Sequence, residues 1–272
     1  MIRYNRNGIT IHEADALNVA ATLPADHFTL AILDGPYAMN KAAWDRLKVD
    51  DLPRFYRPHL EAADRILAPS ASLYVWNTAE GWATLHPLIV SMGWTFRGLI
   101  VWEKTGAHPA RIGAANSSAW PDVTEVCGHY QRGGPFHENQ TTGNVWRFSP
   151  TTEMNGERIW SDTIRLHLVT HAMQRAGLHP CQKPLLFAER MIRASSRPGE
   201  RVWVPFGGTC REAIAADAIR RADPSEAREV VTCELNQDGP DYLAPVVRIL
   251  NGEGSAPINK KQAILFPHRG TA

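Results

Sequence analysis

The chain has 272 residues, 44% of them hydrophobic, and its 29 basic and 28 acidic side chains leave a net charge of +1. This length and composition are sufficient for the core of one α/β domain with insertions. The balanced charge excludes the global basic field of many nucleic-acid-binding proteins, so any contact with DNA or RNA has to be local.

The sequence shows no signal for export, membrane insertion or a metal centre. No apolar run approaches the ~18 residues of a membrane helix, and the first residues lack the apolar segment of a signal peptide. The histidines never fall into a ligand spacing such as HExxH, and isolated surface positions account for them. The four cysteines form no CxxC pair: Cys127, Cys181, Cys210 and Cys233. We therefore expect a cytoplasmic protein with reduced thiols, no membrane association and no metal.

Strand and helix patterns alternate along most of the chain. Short apolar runs predict strands at residues 9–12, 28–33, 72–76, 94–102, 123–130, 201–204 and 229–234. Apolar residues at helical spacing predict helices at residues 53–67, 81–92, 157–176, 184–195 and 211–221. This order predicts an α/β fold with a mostly parallel central sheet and helices on both faces.

Two stretches are rich in Gly, Asn, Ser, Thr and Pro and are expected to be loops: residues 104–122 and 131–150. Long loops in a compact α/β protein usually carry function. The tail, residues 252–272, is expected to be irregular apart from a short strand at 263–266. We therefore predict a single domain over residues 1–272, in which residues 104–178 form an inserted loop region.

The most informative segment is Asp34-Gly35-Pro36-Tyr37, which directly follows the apolar strand 28–33. A carboxylate and a free main-chain carbonyl together accept both hydrogens of an exocyclic amine, and a tyrosine face offers a stacking surface for a planar base. The segment therefore fits a clamp for an aminated heterocycle. Taken alone, it is also explained by ordinary Asp-Gly-Pro turn chemistry.

A second segment, residues 204–209, has the outline of a nucleotide-binding turn. Its sequence is VPFGGT, and its glycines let a ligand approach the backbone between a strand and a helix. The next predicted strand ends at Glu234, a position from which a carboxylate accepts the two hydroxyls of a ribose. A tight strand-to-helix turn with a solvated strand end explains the same residues.

A third segment, HPCQKP at residues 179–184, precedes a predicted helix. Its two prolines bracket Gln182 and Lys183 and stiffen the loop. Polar groups are thereby directed at whatever lies beyond the helix N-terminus, although a lone hexapeptide of this kind is also an ordinary helix entry.

Together the three segments resemble the motifs of the amino-methylating DNA methyltransferases. DGPY at 34–37 is similar to their (D/N/S)PP(Y/F/W), VPFGGTCR at 204–211 to DPFxGxGT, and HPCQKP to HPxQKP. ADAL at 14–17 and RILAPSASLYVW at 65–76 resemble further family segments. The catalytic motif comes first and the cofactor loop last, as in the permuted beta class. The resemblance implies a Rossmann-like class I methyltransferase fold.

The resemblance also implies roles for individual residues. Asp34, Gly35, Pro36 and Tyr37 are the expected catalytic segment: Asp34 and the Gly35 carbonyl bind the target amine, and Tyr37 stacks on a flipped base. The expected cofactor is S-adenosyl-L-methionine. Its expected contacts are Asp15, Ala16, Asp34, His179, Gln182, Lys183, Phe206, Gly207, Gly208, Thr209, Glu234 and Asn236.

The resemblance makes double-stranded DNA the expected partner and a homodimer the expected assembly. Four candidate DNA contacts follow the catalytic turn: Lys41, Trp44, Arg46 and Lys48. These residues fit a solvated helix face equally well. Further candidates lie in the interval where the family has its target-recognition segment: Arg111, Arg132, Arg147, Arg158 and Arg165.

The sequence departs from the family pattern at three positions. Val204 stands where the family has Asp, Cys210 where it has the second glycine of GxG, and Gly35 where it has Pro. Weakened or rearranged cofactor binding is expected from the first two changes. We expect a site-specific DNA methyltransferase acting on N6 of adenine. The alternatives are transfer to N4 of cytosine and a degenerate family member that only binds DNA or a partner.

Overall fold

A nine-stranded sheet forms the centre of the molecule in the computed structural model. The structure describes residues 1–40, 45–104, 124–138, 142–148, 153–154, 157–158, 183–236 and 241–253. Within these residues the strands are β1 (Ile2–Arg6), β2 (Ile9–Glu13), β3 (Phe28–Leu33), β4 (Leu67–Asn77), β5 (Thr95–Lys104), β6 (Thr124–Arg132), β7 (Val145–Phe148), β8 (Glu153–Met154), β9 (Glu157–Arg158), β10 (Arg201–Val204) and β11 (Glu229–Glu234). The α-helices are α1 (Ala16–Thr22), α2 (Leu52–Ile66), α3 (Ala79–Ser91), α4 (Leu185–Ser195), α5 (Arg211–Ala222) and α6 (Leu243–Leu250).

The order of strands across the large sheet is β1-β2-β11-β10-β3-β4-β6-β5-β7. The pairs β1·β2, β4·β6 and β5·β6 are antiparallel, and the other neighbours pair in parallel. The prediction of a mostly parallel sheet is therefore confirmed.

The central strand β3 is buried on both faces, as its continuous apolar sequence predicts. Leu30 and Ile32 join a core cluster that includes residues of α4, α5 and α6. Ala31 and Leu33 join a second cluster that includes residues of α1, α2 and α3. Alternate side chains of one strand thus anchor helices on both faces of the sheet, which confirms the predicted three-layer arrangement.

Two predictions about local structure are wrong. Residues 145–148, expected to lie in a loop, form β7 and pair in parallel with β5. Residues 157–158, expected to begin a helix, form β9 and pair antiparallel with β8. The two short strands flank Asn155 and Gly156 in the sequence, and Asn-Gly is the strongest two-residue hairpin signal. The rest of the predicted helix 157–176 and the predicted strand 263–266 lie outside the described residues.

Four further elements were not predicted: β1, β8, α1 and α6. β1 and β2 form a hairpin in which Asn7 and Gly8 have φ of 56° and 78°, the left-handed values that a type I′ turn requires. α6 is capped by Asp241, whose Oδ1 accepts hydrogen bonds from the backbone N–H groups of Leu243 and Ala244, both at 3.0 Å. In the part of the chain that the structure describes, no helix has the length and apolar character to cross a membrane.

Candidate active site

The predicted site segments meet at one edge of the sheet. β2, β11, β10 and β3 are parallel neighbours, so their carboxyl ends lie side by side. The segments that follow these ends are Asp15, Glu234 to Asn236, Phe206 to Thr209 and Asp34 to Tyr37. Motifs far apart in sequence therefore form one candidate site.

Asp34 is held by two of the residues that the sequence singled out. Lys183 Nζ lies 2.9 Å from the Asp34 carboxylate, and the Tyr37 hydroxyl donates a 2.7 Å hydrogen bond to Asp34 Oδ1. The Lys183 side chain is 7% exposed, so the ion pair is shielded from solvent.

A second carboxylate, Glu125 on β6, belongs to the same cluster and was not predicted. Its Oε2 lies 3.1 Å from Lys183 Nζ and accepts a 3.3 Å hydrogen bond from the Tyr37 hydroxyl. One ammonium therefore faces two carboxylates. Burial raises the pKa of Asp34, the Lys183 charge opposes this rise, and the Glu125 charge adds to it.

The backbone after Asp34 is fixed by another carboxylate, Asp45, which is 1% exposed. Asp45 accepts hydrogen bonds from the backbone N–H groups of Tyr37 and Ala38, both at 2.8 Å, and from that of Met39 at 3.1 Å. The Tyr56 hydroxyl donates to the Pro36 carbonyl at 3.3 Å. These bonds set the direction in which the catalytic segment leaves β3.

Gly35 lies where a side chain has no room. A Cβ at this position would come within 2.8 Å of the Tyr56 hydroxyl and 2.9 Å of the Phe206 ring. Phe206 itself packs between α2 residues, with ring centroids 4.7 Å from His59 and 6.0 Å from Phe55. The absence of a side chain at 35 therefore lets the two motif segments approach each other closely.

The loop after β10 is tied to the end of β11 through Glu234. Gly208 N–H donates to Glu234 Oε2 at 2.6 Å, and Asn236 N–H donates to Oε1 at 3.1 Å. Burial raises the pKa of Glu234, and these backbone donors oppose the rise. The two carboxylate oxygens have four lone pairs, and the Leu235 backbone also donates to the group, so acceptor capacity is left for a further donor such as a hydroxyl.

A family model described as DNA methylase, of the N6/N4 type, matches residues 28–238. This range covers most of the chain and contains Asp34, Lys183 and Glu234. The chain belongs to the N6/N4 DNA methylase family.

Relatives in this family share about a quarter of their residues with the chain. The Type II methyltransferase M1.MboII of Moraxella bovis is 25% identical over 260 residues, which cover 84% of this chain and 92% of that protein. The DNA adenine methyltransferase YhdJ of Escherichia coli strain K12 is 24% identical over 250 residues, which cover 87% of this chain and 81% of that protein.

Solved structures confirm the predicted fold. The PvuII DNA methyltransferase, titled cytosine-N4-specific, matches with a TM-score of 0.63 at 17% identity and covers 90% of this chain and 93% of its own. The structure of M1.HpyAVI in complex with S-adenosylmethionine (SAM) matches with a TM-score of 0.56 at 16% identity. The match covers 89% of this chain and 99% of the M1.HpyAVI chain. The predicted family resemblance and the class I methyltransferase fold are confirmed together.

The departures from the family motif have structural explanations. Val204 is 1% exposed and packs in the core, so the end of β10 carries no acid. Cys210 keeps the left-handed backbone that a glycine favours, with φ of 47°, and its side chain is fully buried in the core. The extra side chain therefore points into the protein interior.

A buried carboxylate that the motif comparison missed lies on the first turn of α5. Glu212 is 6% exposed, and burial raises its pKa to about 7. The charge of Asp34 contributes to this rise, whereas a backbone hydrogen bond and the charges of Lys183 and Arg211 oppose it. Glu212 thus belongs electrostatically to the same site, although the nearby strand end at Val204 has lost its acid.

Asp15 and Ala16 have local structural roles. Asp15 Oδ1 caps α1 by accepting hydrogen bonds from Leu17 N–H at 2.8 Å and Asn18 N–H at 3.1 Å. Ala16 is 5% exposed and packs in the core beneath α1. Asp15 Oδ2 takes no part in these two capping bonds.

The histidine expectation is wrong at two positions. His59 is 8% exposed and His129 is 9% exposed, so neither is a surface residue. Burial lowers the pKa of His59 to about 4. Among the described residues, no group of three or more His, Cys, Asp or Glu side chains has the arrangement to hold a metal ion.

The candidate DNA contacts are placed only in part. Arg46 and Lys48 are exposed beside the catalytic segment. Arg147 and Arg158 lie on β7 and β9. Arg132 is engaged within the protein: it pairs with Asp64, donates to the Leu67 carbonyl at 2.9 Å, and its guanidinium lies over the Trp94 ring. Six predicted residues lie outside the described part of the chain: Lys41, Trp44, Arg111, Arg165, His179 and Gln182.

Proposed function

We propose that the protein transfers a methyl group from S-adenosylmethionine to the exocyclic amine of a base flipped out of double-stranded DNA, with N6 of adenine as the acceptor. The observation that carries this proposal is the Asp34–Tyr37–Lys183–Glu125 cluster, which lies at the same sheet edge as the Glu234-anchored glycine loop. An amine-binding group and a candidate cofactor loop therefore share one edge of the sheet.

The residues present fit S-adenosylmethionine. Glu234 has lone pairs left for ribose hydroxyls, and Gly207 and Gly208 present backbone without side chains. Glu212 supplies a buried carboxylate for an ammonium group in a site that lacks the family's acid at 204. When bound, the cofactor supplies an electrophilic methyl group.

Asp34 is the proposed amine acceptor. Its carboxylate accepts a hydrogen bond from the exocyclic amine and stabilises the positive charge that develops on the nitrogen as it attacks. Lys183 stabilises the ionised form of Asp34, and Glu125 offsets part of the Lys183 charge. Lys183 thus favours the ionised Asp34 against burial and the Glu125 charge, which both raise its pKa, and Glu125 offsets the positive charge beside the reacting nitrogen.

Tyr37 is proposed to stack on the flipped base, and the structure limits how it does so. Lys183 Nζ lies 4.9 Å from the ring centroid, so one ring face is directed at an ammonium. The hydroxyl is already engaged with Asp34 and Glu125. Stacking therefore uses the opposite ring face, and the hydroxyl contacts fix the ring plane.

Adenine is favoured over cytosine because Asp, rather than Ser, opens the catalytic segment. YhdJ, a relative of this chain, is named as an adenine methyltransferase. The N4-cytosine alternative is kept because the PvuII enzyme has the same fold. Mass spectrometry of nucleosides from treated DNA separates N6-methyladenine from N4-methylcytosine.

The proposal is tested by methyl transfer from radiolabelled S-adenosylmethionine to DNA. We expect transfer by the wild-type protein and a loss of at least about 100-fold in kcat for Asp34→Ala, because a preorganised acceptor at the developing charge is removed. The conserved fold of the variant is checked by its thermal melt. Undiminished transfer by Asp34→Ala would remove Asp34 from the reaction.

A further inference from the structure

A cavity of about 200 Å³ lies on the outer half of the sheet, between β4, β6, the β5–β7 edge and helix α4. The four cluster residues of the active site are absent from its lining. An aromatic group lies between the two: Trp76 faces Lys183 at 5.6 Å, Phe187 stacks on Trp76 at 5.8 Å, and Trp146 packs on Phe187 at 5.0 Å and lines the cavity. The cavity is therefore a separate site.

Apart from Tyr74, the titratable side chains that line the cavity are all basic. They are Arg97, His129, His137 and Arg190, and among the described lining residues none carries a carboxylate. Arg97 and His137 are exposed, and Arg190 is partly buried with its guanidinium over the Trp146 ring at 5.3 Å. The cavity lining is therefore positively charged, and part of it is buried.

Two buried nitrogen atoms of this lining have no hydrogen-bond partner within the described ranges: His129 Nε2 and Arg190 Nε. A buried donor without a partner costs about 1–3 kcal/mol, so native proteins rarely keep one unless a ligand or water completes it. Two such atoms in one cavity indicate an acceptor that binds between them.

The His129 ring is held in place rather than free to turn away. It stacks on Tyr74 with a centroid distance of 4.4 Å and an interplanar angle of 6°, and it lies 5.1 Å from the His137 ring. Burial, together with the charges of His137 and Arg97, lowers the pKa of His129 to about 3. The ring is therefore neutral near pH 7, and an acceptor in the cavity selects the tautomer with hydrogen on Nε2.

We propose that this cavity binds a phosphate-class oxyanion, held by the guanidinium groups of Arg190 and Arg97 and by His129 Nε2–H. The cavity is smaller than the ~300–1,000 Å³ of typical organic ligand sites, which favours a single tetrahedral anion or one phosphate group. Arginine donors in a fork are suited to such an anion. The phosphate is either free in solution or part of a DNA backbone.

The test is a titration of the full chain with inorganic phosphate at constant ionic strength, followed by NMR of the histidine rings. We expect saturable shifts of the His129 resonances. Arg190→Gln and Arg97→Gln should each weaken phosphate binding by at least about 10-fold. Arg97 is exposed, so its replacement leaves the fold intact. Arg220→Gln is the control, because Arg220 pairs with Asp217 on α5, at 2.7 Å, and is absent from the cavity lining.

The absence of saturable shifts in the wild-type protein, or equal phosphate binding by all three variants, overturns the proposal. Methyl transfer is not needed for this measurement, so a failure of the proposed function leaves its result unchanged. The source of the phosphate is assigned by DNA anisotropy with a short duplex. If phosphate competes with DNA, and Arg190→Gln weakens the binding of both, the site binds a backbone phosphate. If Arg190→Gln weakens phosphate binding and leaves DNA binding unchanged, the site binds a free oxyanion.

Discussion

Glu212 shows how a single residue changes the interpretation of a degenerate motif. The strand end at 204 has lost its acid, yet a carboxylate eight positions later is buried and senses both Asp34 and Lys183. Burial of this carboxyl group favours its protonated form. The motif therefore lacks its acid at Val204, but an acid, Glu212, lies in the first turn of the following helix, α5.

Glu212 predicts a pH dependence of stability. Its pKa is raised from 4.5 to about 7 in the folded protein, so its stabilising contribution is complete below about pH 4.5 and is lost as the pH rises through 7. In the ligand-free protein, Glu212→Gln should match the wild type at pH 4.5 and exceed it at pH 8 by up to about 3 kcal/mol. Urea unfolding at both pH values checks this; a difference independent of pH would contradict it.

Gly35 predicts a steric effect. Gly35→Ala places a Cβ against the Tyr56 hydroxyl and the Phe206 ring, and overpacking of this kind costs about 1–3 kcal/mol. Gly98→Ala is the matched control, because a Cβ at 98 meets nothing within 4 Å. We expect urea unfolding to show destabilisation only at 35. Equal stability of the two variants would mean that the aromatic contacts at 35 relax freely.

At the scale of elements, the catalytic segment depends on Asp45, which lies beyond the segment it fixes. Its carboxylate accepts hydrogen bonds from the backbone of Tyr37, Ala38 and Met39. Charge-assisted bonds to a buried carboxylate are among the stronger ones in proteins. The segment therefore owes its direction to a residue with no motif of its own.

Asp45→Ala should lower kcat at least about 10-fold while the affinity for S-adenosylmethionine changes little, because the acceptor segment moves and the Glu234-anchored loop does not. Steady-state methyl transfer and calorimetry together make this measurement. Asp50→Ala is the control, since Asp50 is exposed. A parallel loss of cofactor affinity would show that Asp45 supports the whole site.

The sequence predicted the elements whose signal is local and strong. The apolar run of β3 and the helical spacing of α2 led to elements at nearly the observed bounds. The hairpins around Asn7-Gly8 and Asn155-Gly156 were missed, although Asn-Gly is itself a turn signal. Polar, short edge strands lack the apolar pattern on which the predictions relied.

The sequence singled out only the site residues that its motifs contain. Asp34, Tyr37, Lys183 and Glu234 lie at neighbouring strand ends or beside them, and their roles stay predictions. Glu125 and Asp45 were not predicted, because strand register and loop folding bring them to Lys183 and to Tyr37. No sequence spacing encodes those contacts.

At the scale of the molecule, four strand ends from both halves of the chain form the candidate cofactor site. A ligand that binds only this assembled edge stabilises the fold by mass action. At 100 times its dissociation constant, S-adenosylmethionine should add about 2.7 kcal/mol, which corresponds to a rise of roughly 5–10 °C in Tm.

Glu234→Gln should reduce that rise, because a neutral amide holds Gly208 and a ribose less strongly than a carboxylate does. Thermal melts with and without 1 mM cofactor measure the difference. Glu229→Gln, on the same strand with a partly exposed side chain, is the control. An equal rise in all three proteins would exclude Glu234 from cofactor binding.

The pairing of β3 with β10 has a consequence for synthesis of the protein. β3 carries the catalytic segment, but its partner on one side is made only after residues 201–204 have left the ribosome. A growing chain that ends before β10 contains Asp34 but lacks β10, the strand that places the glycine loop beside Asp34. Long-range pairing of this kind forms late in folding. Competence to modify DNA therefore arises only after β10 has been translated.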